Sequence, residues 1–365
     1  MAGGYQQAAI DVRDIEMAAR QQVEAIGREC LPGAIKEGHY LKAGSIGGER
    51  GSSLVLNLQG ANRGMWRDWS SNDQGDMIVL VERAKFGGDR GKAVQWLKSW
   101  LGLDDLDPAR VQEVRAEAAR RDAELEREAA REAEAKKRGA RALWLNGAAD
   151  IAGTPAAAYL AHRGIDVARL GRWPGALRYH GEVWNRDAGC KLPCMVAQML
   201  LPGGEHVATH RTWLGRDDRG RWVKADSAGV GVPKGQAKKV IGKSRGAIVP
   251  LRKGASRQAM GQLRQPDTLY VTEGIEDALT VAMCKPDARV VAAYSLGNLG
   301  TVEFPPAIAT IVLVADRDDG RGEQAMLERA IARQQARGHQ VRIVLPPPGI
   351  KDMNAWLLAT MGVAA

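Results

Sequence analysis

No run of apolar residues approaches the ~20 that span a bilayer, and the first residues lack the basic-then-apolar order of a secretory signal. The four cysteines, Cys30, Cys190, Cys194 and Cys284, follow no framework spacing, which argues against a disulfide scaffold and suits a reducing cytosol. Cys190 and Cys194 have no second pair to complete a metal site. Gly242-Lys243-Ser244 resembles the end of a phosphate-binding P-loop, but Ala237 stands where that loop needs glycine, and a strand-like run follows instead of a helix. These absences predict a soluble, cytoplasmic protein with no membrane partner and no helicase motor of its own.

What the chain does have is apolar residues and positive charge. At 365 residues and 45% apolar content it is long enough for two or three domains with real cores. A net charge of +9, from 52 basic and 43 acidic residues, favours a polyanionic partner.

Two stretches near the C-terminus organise the rest. Residues 268–272 (Thr-Leu-Tyr-Val-Thr) run into Glu273-Gly274, and residues 310–315 (Thr-Ile-Val-Leu-Val-Ala) run into Asp316-Arg317-Asp318-Asp319-Gly320. Such runs, with no polar alternation, predict strands buried on both faces, hence a parallel α/β sheet. Helical patterns follow each, at 275–283 and 321–337. The acids therefore fall at the carboxyl ends of parallel strands, where open α/β sheets bind ligands. If the strands are neighbours, about 4.8 Å apart, Glu273, Asp316 and Asp318 converge and repel one another unless a cation lies among them. Oxygen ligands alone select Mg²⁺ or Mn²⁺, ions that bind phosphate oxygens in phosphoryl or nucleotidyl transfer. Glycines 274 and 320 permit the tight turns beside the acids.

Glu273-Gly274 after one strand and Asp316-x-Asp318 after the next resemble the Toprim domain, shared by bacterial-type primases, type IA and type II topoisomerases, certain nucleases and a recombination protein. The resemblance implies that Glu273 acts as a general acid/base or metal ligand and that Asp316 and Asp318 bind Mg²⁺. Residues 349–358, Gly-Ile-Lys-Asp-Met-Asn-Ala-Trp-Leu-Leu, resemble the tail of primase-type Toprim domains, which would place Lys351 and Asp352 at the same site.

The upstream segments resemble phage and plasmid primases. Residues 44–54 and 66–81 are similar to the N-terminal zinc-binding domain of primases, yet only Cys30 and His39 could serve as ligands where a structural zinc wants four; a zinc-free version is expected. A helix at 8–28, short antiparallel strands, and a helix at 91–101 carrying Trp96 and Trp100 fit that domain. Trp66 and Trp69 are either core or candidates for stacking single-stranded DNA. Residues 155–165 read as a helix with Pro155 at its first position and Gly164 at its end. Strands are expected at 176–180, 194–201, 207–213 and 247–251. The basic residues His210, Arg211, Lys224, Lys234, Lys238, Lys239, Lys243 and Arg245 fall in this region and are candidates for DNA or triphosphate binding.

The expected fold class is α/β: a C-terminal Toprim domain with a Rossmann-like parallel sheet (256–365), a mixed α+β primase-core subdomain before it (142–255), a solvated charged helical linker (105–141) and a small α+β N-terminal domain (1–104). The expected function is a primase-like nucleotidyltransferase of mobile-element origin, with single-stranded DNA, nucleoside triphosphates and a separate replicative helicase as partners. A Toprim nuclease and a catalytically silent DNA-binding or helicase-loading protein remain the alternatives.

Overall fold

The computed structural model describes residues 11–60, 62–103, 108–317 and 320–362. The chain divides into two compact units, one ending at Glu132 and the other beginning at Ala133.

In the first unit α1 (Val12–Gln21) and α2 (Val23–Cys30) lead into a five-stranded antiparallel meander, β1 (Ile35–Glu37), β2 (Tyr40–Ala43), β3 (Leu54–Asn57), β4 (Trp66–Asp68) and β5 (Gln74–Gly75), followed by α3 (Met77–Phe86) and α4 (Arg90–Trp100). The single helix expected over 8–28 is two helices, because the chain turns at Gln22, whose N–H bonds to the Ala19 carbonyl at 3.0 Å. Asp11 and Asp14 form a reciprocal capping box at the start of α1. The Asp76 side chain caps α3 through the Val79 N–H at 2.9 Å. One sheet face, carrying Leu41, Leu54, Leu56 and Trp66, packs on Ile15, Ile26, Leu80 and Leu97 of the helices. Helix and sheet approach closely at Gly27, where a Cβ would lie 2.6 Å from Leu56 Cδ2. The other face carries Tyr40, Lys42, Val55 and Arg67.

Helix α5 (Pro108–Leu145) runs past the expected linker boundary. Its last turns are not solvated linker: Ala140 is fully buried and its carbonyl accepts the Thr209 hydroxyl at 2.7 Å, while the Trp144 indole donates to the Ala176 carbonyl at 2.9 Å.

The second unit holds two more sheets. After α6 (Pro155–His162) and α7 (Val167–Leu170) come β6 (Leu177–Asn185), β7 (Cys190–Leu200), β8 (His206–Arg216), β9 (Trp222–Lys224) and β10 (Lys238–Gly242), antiparallel in the order β10-β8-β7-β6 with β9 on β8. The third sheet comprises β11 (Val249–Lys253), β12 (Asp267–Thr272), β13 (Arg289–Ala292), β14 (Ile308–Val314) and β15 (Gln340–Val344), in the order β11-β13-β12-β14-β15. Its last four strands in that order pair in parallel, and β11 is antiparallel to β13. Helices α8 (Ile275–Cys284), α9 (Leu296–Leu299), α10 (Arg321–Ala336) and α11 (Met353–Thr360) complete the unit.

The buried-strand expectation for this sheet is met on both faces. Val312 and Val314 enter a core with Ile275, Leu279, Tyr159, Met195 and Ala197, while Ile311, Leu313, Leu269 and Val271 enter another with Phe304 and Ala330. The first of these cores joins residues on both sides of position 255, and β11, expected with the preceding subdomain, belongs to the third sheet. No helix among the described residues is long and apolar enough to cross a membrane.

Candidate active site

β12 and β14 lie side by side with Thr272 opposite Val314, so Glu273 and Asp316 leave the sheet at adjacent carboxyl ends. Glu273 is anchored twice: Oε2 accepts the Leu296 N–H at 3.2 Å and its carbonyl accepts the Tyr294 N–H at 3.1 Å. The chain after Asp316 is tied to the segment before α11, because the Arg317 N–H donates to the Lys351 carbonyl at 2.7 Å and Arg317 Nε to Pro346 at 3.0 Å. Asp352 then caps α11 through the Ala355 N–H at 2.7 Å.

A further acid joins them that the sequence reading did not single out. Asp277, in the first turn of α8, accepts the Asn354 N–H at 2.9 Å. Its carboxyl is pushed up to about 7 by burial first and then by Asp352, Asp316 and Glu276, against the Asn354 hydrogen bond. Gly274 leaves room for it, since a Cβ there would sit 2.8 Å from Asp277 Oδ2. The signal in the sequence was an acid one helical turn beyond Glu273; acids in a first helical turn are ordinarily explained by the helix dipole.

Asp277 makes the metal-free protein pH-sensitive. The folded chain keeps this proton up to about pH 7, whereas the unfolded chain releases it near the ordinary carboxylate value, so between those limits stability falls as pH rises. The three-unit interval corresponds to about 4 kcal/mol at most. In EDTA, D277N is therefore expected to gain stability over the wild type as pH rises from 4.5 to 7.5, measured by urea unfolding; parallel curves for the two proteins would contradict this.

These all-oxygen donors fit a hard divalent cation, which would relieve the carboxylate repulsion that adds to burial in raising Asp277. Among the described residues no three His, Cys, Asp or Glu side chains stand together as a metal-binding group. Asp318, the second acid of the expected pair, lies outside the described residues.

Beside the acids is a pocket of about 290 Å³ whose walls include His210, Lys238, Glu273, Glu276, Tyr294 and Ser295. Glu276 is buried and accepts both the Tyr159 hydroxyl at 2.5 Å and Lys224 Nζ at 3.0 Å. Burial alone would raise its carboxyl, but Lys224, Lys238 and the Tyr159 hydroxyl hold it well below the usual carboxylate range. Burial brings His210 down to about 4, with Lys238 adding to the effect, so it is neutral at physiological pH.

Strand register separates the remaining candidates. Lys238 pairs with Thr212 and Val240 with His210, on one face, while Lys239 pairs with Arg211 on the other. Lys239 forms an ion pair with Asp187, and the Arg211 guanidinium lies over the Trp213 ring at 4.8 Å. Lys238 and His210 thus line the pocket and Arg211 and Lys239 do not, while Lys224 is paired with Glu276 of the pocket wall. Lys234, Lys243, Arg245 and Lys351 are exposed.

In the first unit Trp66 is 2% exposed and its indole donates to the Asp76 carbonyl at 3.0 Å, which makes it core and not a stacking surface. Trp69 is 66% exposed, with the Arg67 guanidinium 4.1 Å from its ring centroid. Cys30 is buried in the core, where burial pushes its thiol up to about 12, and His39 is exposed.

The two strand-end acids and the adjoining sheet have a counterpart among known families: residues 268–361 match the Toprim domain. The C-terminal segment is a Toprim domain. Residues 134–251, which contribute His210 and Lys238 to the pocket beside the Toprim acids, match a domain of unknown function (DUF7146). No curated protein matches the chain. Among solved structures, the primase fragment of the bacteriophage T7 primase-helicase is 19% identical, with 56% of this chain and 69% of that chain covered and a TM-score of 0.35. The zinc-binding and RNA polymerase domains of the Aquifex aeolicus primase are 14% identical, covering 96% and 82%, with a TM-score of 0.36. A DNA primase domain from Pseudomonas aeruginosa is 16% identical, covering 61% and 74%, with a TM-score of 0.37.

Proposed function

We propose that this protein is a primase-like nucleotidyltransferase that synthesises short oligonucleotides on single-stranded DNA with Mg²⁺. The observation that carries the reading is the juxtaposition of Glu273 and Asp316, at adjacent strand ends of the Toprim domain, with a pocket whose wall carries Lys238 and the Lys224-paired Glu276. Glu273, Asp316 and Asp318 would hold Mg²⁺, which supplies charge neutralisation at the transferring phosphoryl group and at the attacking hydroxyl. The chain's own part is positional and electrostatic. Lys238 binds phosphate oxygens, Glu276 holds Lys224 in place, and Asp352 fixes the start of α11 so that the acids keep their spacing. A separate helicase as partner belongs to the same reading.

Template contact is assigned to the first unit. Trp69 with Arg67 offers an aromatic face beside a cation on an exposed sheet surface, as single-stranded nucleic acid requires. Trp69→Ala is expected to weaken binding of a labelled single-stranded oligonucleotide about tenfold, the low end of the stacking contribution per base, while Trp66→Ala unfolds the unit. Unchanged anisotropy titrations with a folded Trp69→Ala protein would remove this surface from the account.

A further inference from the structure

Tyr294 is built in a way that packing does not explain. It follows β13 with φ of 72°, in the left-handed region that a bulky aromatic residue enters only at a cost. The backbone is pinned there: the Ala293 N–H donates to the Thr272 carbonyl at 2.8 Å, the Tyr294 N–H to the Glu273 carbonyl, and Ser295 caps α9 through the Asn298 N–H at 3.2 Å. Burial does not offset the strain, because the side chain stays 39% exposed. What the conformation achieves is to set the ring edge-on to His210, with centroids 5.6 Å apart and an interplanar angle of 69°, inside the pocket that Glu273 and Lys238 also line.

His210 is 5% exposed, and its Nδ1 lies 3.4 Å from the Thr212 hydroxyl. The pair is thus a fixed aromatic shelf, open on one side, within a few residues of a carboxylate that belongs to the acid cluster and of a lysine. A flat π-system with a polyphosphate tail matches both halves of this surface. The volume, about 290 Å³, is at the small end for ligand pockets.

We propose that Tyr294 stacks the base of the incoming nucleoside triphosphate, with His210 backing the ring and the triphosphate directed toward Lys238 and the Toprim acids. This rests on the nucleotide-polymerising reading above and adds to it a base-binding, specificity-determining residue. Stacking is tolerant of base identity, so the shelf serves all nucleotides and distinguishes a nucleotide from bare polyphosphate.

The test is calorimetric binding of ATP and of inorganic tripolyphosphate, each with Mg²⁺, to the wild-type protein and to Tyr294→Asn and Tyr294→Phe. Asparagine tolerates the left-handed backbone, so the first variant removes the ring without adding strain. The wild type and Tyr294→Phe are expected to bind ATP about tenfold more tightly than tripolyphosphate, and Tyr294→Asn to bind the two alike with its tripolyphosphate affinity unchanged. In turnover, the KM for nucleotide of Tyr294→Asn is expected to rise about tenfold at nearly constant kcat. An ATP preference that survives in Tyr294→Asn, or equal affinities in the wild type, overturns the proposal. So does an equal loss of both affinities in Tyr294→Asn, which would mark Tyr294 as shaping the pocket only. A Tyr294-dependent ATP preference in a wild-type protein that makes no oligonucleotide would keep the shelf and refute the polymerising reading.

Discussion

Asp316→Ala and Glu273→Gln each lower nucleotide incorporation by on the order of 10³-fold, the range associated with removing one preorganised electrostatic group from a transition state. Neither is expected to harm the fold. Glutamine at 273 retains an oxygen to accept the Leu296 N–H. Alanine at 316 removes one of the charges that raise the Asp277 carboxyl. Loss of synthesis with the fold retained is what a residue of the reacting site produces and a merely structural aspartate does not. The two readouts are a gel-resolved incorporation assay and urea unfolding in EDTA. Near-wild-type incorporation by both variants would remove these acids from the reaction.

Glu276→Ala is expected to cost about 3 kcal/mol of stability, the usual penalty for stranding one member of a buried ion pair. Its Oε1 serves Tyr159 from α6 and Lys224 from β9 at once, so the substitution leaves a buried hydroxyl without its acceptor and an ammonium without its counter-charge. Because these partners come from the segment before the Toprim domain, the network also joins two halves of one core. The double variant Glu276→Ala/Lys224→Met removes the stranded charge and is expected to recover part of the loss, a coupling that a double-mutant cycle measures directly. A single-variant cost under about 1 kcal/mol would mean that Lys224 escapes to water and that the pair contributes as little as a surface one.

The parallel sheet was legible in the sequence because β12 and β14 carry the unbroken apolar runs Leu269-Tyr270-Val271 and Ile311-Val312-Leu313-Val314, and only a strand covered on both faces needs such a run. Glu273 and Asp316 were legible for a related reason, since each ends such a strand beside a sharp turn. Asp277 and Glu276 were not, because acids in the first turn of a helix have a commonplace explanation and nothing local reports that α11 and β9 close over them. The basic cluster was legible as a cluster only. Lys238 and Lys239 are adjacent in sequence, and the register of β10 on β8 decides which one meets the pocket. Trp66 and Trp69 show the same limit: the alternation that puts Trp66 and Asp68 inward leaves Arg67 and Trp69 outward, yet the sequence does not say which set faces the core. Nor does the sequence report that the end of α5 and β11 pack into cores assembled from distant segments. Tyr294 carried no signal at all, since neither its backbone angle nor its contact with His210 follows from neighbouring residues.

The most direct test of the account is to incubate the protein with single-stranded DNA, labelled nucleoside triphosphates and Mg²⁺, and to resolve the products by length. The account predicts short labelled oligonucleotides from an intact template, formed by the wild type and absent with Asp316→Ala. A shortened template with no labelled product would contradict it and make the same acids those of a nuclease. An unaltered template bound equally well in EDTA, again without product, would contradict it in favour of a DNA-binding role.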